Sequence, residues 1–161
     1  SMSDQPLDEL DQLILYHLQR DARRTSAGDI ADLMDVSDST VRHRIRNLEE
    51  AGIIRGYHLD VDYEASGFQL HTLIVCTAPV PRRKELARQA LEVDGVVAVR
   101  EVMTGHGNLH VEVVGADGDD LSRIGRDLDE LGLEIEDEDI IRNEYVHAYE
   151  GFAPVEEDDK Q

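Results

Sequence analysis

DVSDSTVRHRIRNLEE, residues 35–50, decides the reading of this chain. Its middle ten residues, 39–48, carry Arg42, His43, Arg44 and Arg46 and no acid, inside a chain of 161 residues with a formal net charge of -20. At helical spacing Val41, Ile45 and Leu48 fall on one side, while Ser39, Arg42, His43 and Arg46 share an arc of about 100° on the other. The apolar side must be buried, so the positive side faces water. Ser37 or Ser39 is placed to cap the start of this helix and Gly52 to end it.

The residues before it supply a partner. Ser26 and Asp29 form an S-x-x-D start signal ahead of Ile30, Ala31, Leu33 and Met34, which predicts a short helix. Asp35 then occupies the tight turn between the two helices, where a left-handed backbone is needed and Asp tolerates it better than most residues. Further upstream, Leu10, Leu13, Ile14, His17 and Leu18 recur at helical spacing behind Asp8 as a cap. Downstream, IIRGYHLDVDY has the alternation of a short two-stranded wing that runs into a linker near Ala65-Ser66-Gly67. A short helix, a tight turn and a second helix presenting Arg, His and Ser outward is the arrangement of a helix-turn-helix, whose second helix enters the major groove. The candidate DNA contacts are Ser37, Ser39, Thr40, Arg42, His43 and Arg46, with Arg55 from the wing. Arg forks to guanine, hydroxyls reach phosphate or base edges, and a helix N-terminus favours phosphate.

The second half reads strand, helix, strand, strand, helix, strand. FQLHTLIVCTAPV is strand-like, and Leu86, Ala87, Ala90, Leu91 and Val93 then make a helical face. VVAVREVMTG and NLHVEVVG are strands joined through Gly105-His106-Gly107; Leu121, Ile124, Leu128 and Leu131 give the clearest helical period in the chain. IIRNEYVHAY is expected to be the last strand. This order is that of a ferredoxin-like β-α-β-β-α-β domain. The fold class expected is therefore α+β, with a winged helix-turn-helix at 7–66, a ferredoxin-like domain at 67–150 and an acidic tail at 151–161. Leu73 and Val75 lie on one face of the first strand and Leu70, Ile74 and Cys76 on the other. In the second strand Val97, Val99 and Met103 oppose Val96, Ala98 and Val102. Helices cover only one face of such a sheet, so a second copy of the chain is expected on the other.

Charge, divided along the chain, sharpens this. Residues 1–19 carry -4, residues 20–55 carry 0 and residues 56–161 carry -16. Dispersed carboxylates of this density suit a cytoplasm at molar salt, where repulsion is screened within about 3 Å. No run of about 18 apolar residues or secretory signal is apparent, so a cytoplasmic protein without membrane contact is expected. Ser1-Met2-Ser3 reads as an expression remnant and is set aside. The single Cys76, in the apolar run LIVCTA, reads as a buried small hydrophobe. His71, His106, His110 and His147 fall on expected strands or the hairpin, where they read as ordinary strand or interface residues. No metal or cofactor is expected.

The stretches LDELDQLILYHLQRDARRT, DIADLMDVSDSTVRHRIRNLEEAGIIRGY and the TG…LHVEV hairpin together resemble the Lrp/AsnC (feast/famine) family of transcription regulators, over roughly residues 7–149. The resemblance implies a DNA-binding homodimer that pairs through the sheet of its second domain, can assemble further to a tetramer or octamer, and binds a small effector, often an amino acid, between subunits. It places that effector at Gly105, His106, Gly107 and Asn108. Many members have Gly where Asp35 stands, and their hairpin often carries an acid where Asn108 offers an uncharged amide. Some proteins similar in both domains are tetrapyrrole decarboxylases that use His and Arg of the second domain. That is the alternative reading, and it leaves the Arg/His helix face without a role.

Overall fold

A computed structural model describes residues 6–154. Ser1-Met2-Ser3 and the end of the expected tail, 155–161, lie outside the described residues. By their contacts these residues divide into two units: one holds residues 6–59 with 145–154, the other residues 60–144.

The first unit is a three-helix cluster: α1 (Glu9–Asp21), α2 (Ala27–Met34) and α3 (Asp38–Glu50). Its helix starts are written in the sequence. Asp8 accepts the Asp11 N–H while Asp11 reaches back to the Asp8 N–H, and Ser26 and Asp29 repeat that capping box on α2; each exchange satisfies two amide groups that a helix start would leave orphaned. Leu10, Leu13, Ile14, Ile30, Ala31, Val41 and Leu48 are buried together. At about 25 cal/mol per Å² of apolar surface removed from water, burial of this kind is what holds such short helices.

The second unit is a four-stranded antiparallel sheet in the order β2-β3-β1-β4, with β1 at Leu70–Thr77, β2 at Val96–Glu101, β3 at Leu109–Gly115 and β4 at Glu134–Ile140. Two helices, α4 (Arg83–Leu91) and α5 (Gly118–Glu130), pack on it. Ile74, Cys76, Leu109, Val111 and Val113 of the sheet meet Leu86, Ala90, Ile124 and Leu128 of the helices in one core. The opposite face carries His71, Leu73 and Val75 of β1 with His110, Glu112 and Val114 of β3, all only half-buried.

Four expectations are corrected. The last strand is EIEDEDI and overlaps the expected IIRNEYVHAY only at Ile140: Glu134–Ile140 pairs with β1, the Ile141 N–H adds one bond to the His71 carbonyl, and residues 142–149 form no ladder. An edge strand buries little, so five acids in seven positions are tolerated there, and an apolar-pattern reading passes over it. The segment from Tyr145 groups with the first unit and not with the sheet domain, because the Tyr149 N–H donates to Gln19 on α1. The wing shows no strand pairing among the described residues. Residues 53–62 run without a ladder, and Leu59 stands 87% exposed with no facing strand to pack on. Lastly, Val97 and Val99 do not share a face. A bulge between Val96 and Ala98 makes Val97 the extra residue, which turns Val96 and Val99 toward the helix-covered core and Ala98 outward opposite Glu112.

Candidate nucleic-acid interface

The turn between α2 and α3 sets the direction of the exposed helix. Asp35 adopts φ 53°, ψ 48°, its N–H and that of Val36 both donate to the Ala31 carbonyl, and α2 stops there. The two helices then approach closely enough that a Cβ on Gly28 would lie 3.2 Å from the Asp38 Oδ2. Ser37 caps α3 by accepting the Thr40 N–H. Its hydroxyl also lies 3.1 Å from the Ser39 Oγ and 2.8 Å from the Thr40 Oγ1, so three hydroxyls cluster at the positive end of the helix dipole. At the other end Gly52, at φ 74°, closes α3 while the Ile53 and Ile54 N–H groups donate to the Leu48 carbonyl. Arg55 follows three residues later.

The four basic side chains of α3 divide cleanly. Arg44 turns inward: its Nη1 lies 2.6 Å from an Asp8 oxygen and 3.1 Å from an Asp11 oxygen, so it ties α3 to the start of α1. The backbone N–H of Asp11 first, then this guanidinium, hold the Asp8 carboxyl below the usual carboxylate range, and Asp8 holds the Arg44 pKa up. Arg42, His43 and Arg46 are exposed, as are Ser37, Ser39, Thr40 and Arg55. None of Arg42, His43, Arg46 or Arg55 forms an ion pair among the described residues. α3 thus presents one face of free hydrogen-bond donors, two of them guanidiniums with planar forks.

In the sheet unit the residues of the hairpin loop fare differently from one another. Gly105 and His106 are exposed, and Gly107 sits at φ 63° where a side chain is disfavoured. Asn108 is fully buried: its Oδ1 accepts the Ala78 N–H at 2.8 Å and its Nδ2 donates to the Ala78 carbonyl at 2.9 Å. Its amide therefore anchors the loop to the end of β1 and is not turned toward a ligand. The histidines do not converge. His71 pairs with Glu112 at 3.0 Å, His106 lies 3.4 Å from Glu136, and His147 belongs to the first unit beside Glu150. Among the described residues no group of three His, Cys, Asp or Glu is placed to hold a metal, and no helix is long and apolar enough to cross a membrane. Cys76 is buried, and burial pushes its thiol up to about 12, far from a reactive thiolate. Glu136, which the structure places beside this loop, stood in a stretch that the sequence did not mark as a strand.

A tight helix-helix turn that presents a free basic helix face is the arrangement of a helix-turn-helix DNA-binding protein, and the family described as winged helix-turn-helix DNA-binding matches residues 7–55. The chain is 34% identical over 120 residues to the HTH-type transcriptional regulator LrpA of Pyrococcus abyssi, covering 73% of this chain and 82% of that one. Among solved structures it is similar to the AldR protein designated MtbAldR, with 26% identity and a TM-score of 0.74 over 89% of this chain and 99% of that one. A feast or famine regulatory protein of M. tuberculosis complexed with L-methionine shares the fold at 22% identity, with a TM-score of 0.73 over 88% of this chain and 95% of that one. The chain belongs to the Lrp/AsnC family of HTH-type, DNA-binding transcription regulators.

Proposed function

We propose that this regulator binds a double-stranded operator as a homodimer, with α3 of each subunit in a major groove. Arg42 and Arg46 read base edges, His43, Ser39 and Thr40 assist, Ser37 orders the helix start against phosphate, and Arg55 grips the backbone. The observation that carries this is the division of the α3 cations: Arg44 is consumed by Asp8 and Asp11, while Arg42, His43 and Arg46 stand exposed and unpaired on a helix whose residues 39–48 include no acid. The half-buried sheet face around Leu73 and Val75 is the surface by which two copies join, and larger assemblies would be built from such dimers. Selection from a pool of random duplexes tests the reading. The purified chain should enrich one two-fold-related motif with half-sites about one helical turn apart, and a pool that emerges unenriched would end it.

The loop at Gly105, His106 and Gly107 is proposed to take a small effector of the amino-acid class. Support comes from the L-methionine complex of the M. tuberculosis protein with the same fold. The protein acts in the cytoplasm, and its dispersed acids are read as an adaptation to molar salt. The alternative, a tetrapyrrole decarboxylase, has no support in the names of the relatives.

A further inference from the structure

The loop of the sheet unit lacks the acid that would receive an ammonium group, and yet a carboxylate stands beside it. Along the β1–β4 ladder Val75 pairs with Asp137 and Cys76 with Ile135, which leaves Glu136 as an extra residue in a bulge. Bulges re-aim a side chain, and this one brings Glu136 to the loop. Its Oε1 accepts the Thr77 hydroxyl at 2.9 Å, and its Oε2 lies 3.4 Å from the His106 Nε2. The Thr77 Oγ1 in turn accepts the Gly107 N–H at 2.8 Å, and Asn108 clamps Ala78 one residue along. The loop is thus fixed to the end of β1 through Thr77, which Glu136 also engages, and through Ala78.

A carboxylate offers about four lone-pair sites. One receives Thr77, and the contact to His106 is long and made by a side chain that is 77% exposed. The carboxylate receives no other hydrogen bond among the described residues, and the loop beside it offers two glycines and an imidazole. From this geometry we infer that Glu136 is the specificity-determining residue of the effector site, receiving the ammonium of an α-amino acid. His106 stands beside that position, 3.4 Å from the Glu136 carboxylate, and is displaced when the ligand enters. The inference rests on the proposed effector reading of the loop and gives it a charge that the loop itself does not supply. A staple role, in which Glu136 only positions the loop through Thr77, would leave ligand preference untouched, and that difference is measurable.

The experiment is calorimetric titration of the full chain with the twenty L-amino acids, each at up to about 10 mM, which reaches binding as weak as about -3 kcal/mol. The tightest binder is then compared with its des-amino carboxylate. The wild type should prefer the amino acid by at least about tenfold, the worth of one charge-assisted hydrogen bond. Glu136→Gln, which can still accept from Thr77, should bind the two compounds alike. His106→Ala should bind the amino acid as well as the wild type or better. If the wild type binds an amino acid and Glu136→Gln keeps the tenfold preference, Glu136 is not the receptor, although the effector reading survives. Loss of binding in His106→Ala would likewise overturn the displacement and the role of Glu136 with it, and that readout stands even if Glu136→Gln does not fold. A wild type that binds none of the twenty would remove the effector reading and this inference together.

Discussion

Asp35 bears on function without touching DNA. It is the sole residue other than glycine with positive φ among the described residues, and it turns α3 outward from α2. Asp tolerates the left-handed region at little cost, whereas a β-branched residue there costs about 1–2 kcal/mol. Asp35→Val should lower stability by about that amount in urea unfolding and weaken operator binding, while Asp35→Gly should do neither. Asp8 sets a pH response by a different route. Its folded pKa lies below the ordinary value, so its contribution is fully present above about pH 4 and is lost as pH falls through the lower folded value. Asp8→Asn keeps an acceptor for the Asp11 N–H but gives up the ionised partner of Arg44. With side chains 31% and 52% exposed the pair is worth at most about 1 kcal/mol. The variant should therefore be less stable than wild type at pH 7 and converge with it only as pH falls through the lowered folded pKa of Asp8, as read by thermal unfolding at descending pH. Both residues were legible in advance, because cap and turn chemistry is local to the sequence. The Arg44 partnership was not, since periodicity places a residue on a side of a helix but does not say what waits there.

At the scale of elements the five helices and three of the four strands follow the apolar pattern, and the failures share a cause. In β4 only Ile135 and Ile140 are apolar, so the strand carries no signal of its own; its existence depends on β1 offering an unpaired edge. Residues 53–62 and 142–149 show the converse, with β-type composition and no ladder. Strand propensity reports fit to a pleated, half-buried surface, and it cannot act where no such surface is offered. The hairpin turn at Gly105, His106 and Gly107 was legible from its glycines, its proposed effector role came only from the family resemblance, and Glu136 was hidden with β4. The open face of the sheet yields a direct test. Leu73 lies opposite Glu112 on β3 and Asp139 on β4, so Leu73→Arg gains opposite charges across the ladder and should fold. It places a desolvated cation in the proposed two-fold contact, and light scattering should show monomers where the wild type is a dimer. A monomeric wild type would contradict the assembly.

For the whole molecule the governing fact is that a chain of net charge -20 binds a polyanion. With six phosphate contacts, ordinary counterion release would cost on the order of five decades of affinity per decade of salt. On the proposed molar-salt reading, the neutral stretch of residues 20–55 would hold DNA by short-range hydrogen bonds and fit, which survive a screening length of about 3 Å. Affinity for the operator should change little, or rise, as KCl goes from about 0.5 M to about 2 M; a log-log slope near about -5 would mean a phosphate clamp and would remove the molar-salt reading of the composition. Beneath both outcomes lies the claim that the exposed α3 face reads sequence. It is tested most directly by the ratio of affinities for the selected operator and a shuffled duplex, measured for the wild type, Arg42→Ala, Arg46→Ala and Arg55→Ala. The expected result is that Arg42→Ala or Arg46→Ala loses about 1–3 kcal/mol on the operator alone, so that the ratio collapses, while Arg55→Ala weakens both duplexes equally. Equal losses on both duplexes for Arg42→Ala and Arg46→Ala would contradict it, leaving α3 a grip on phosphate and not a reader of bases.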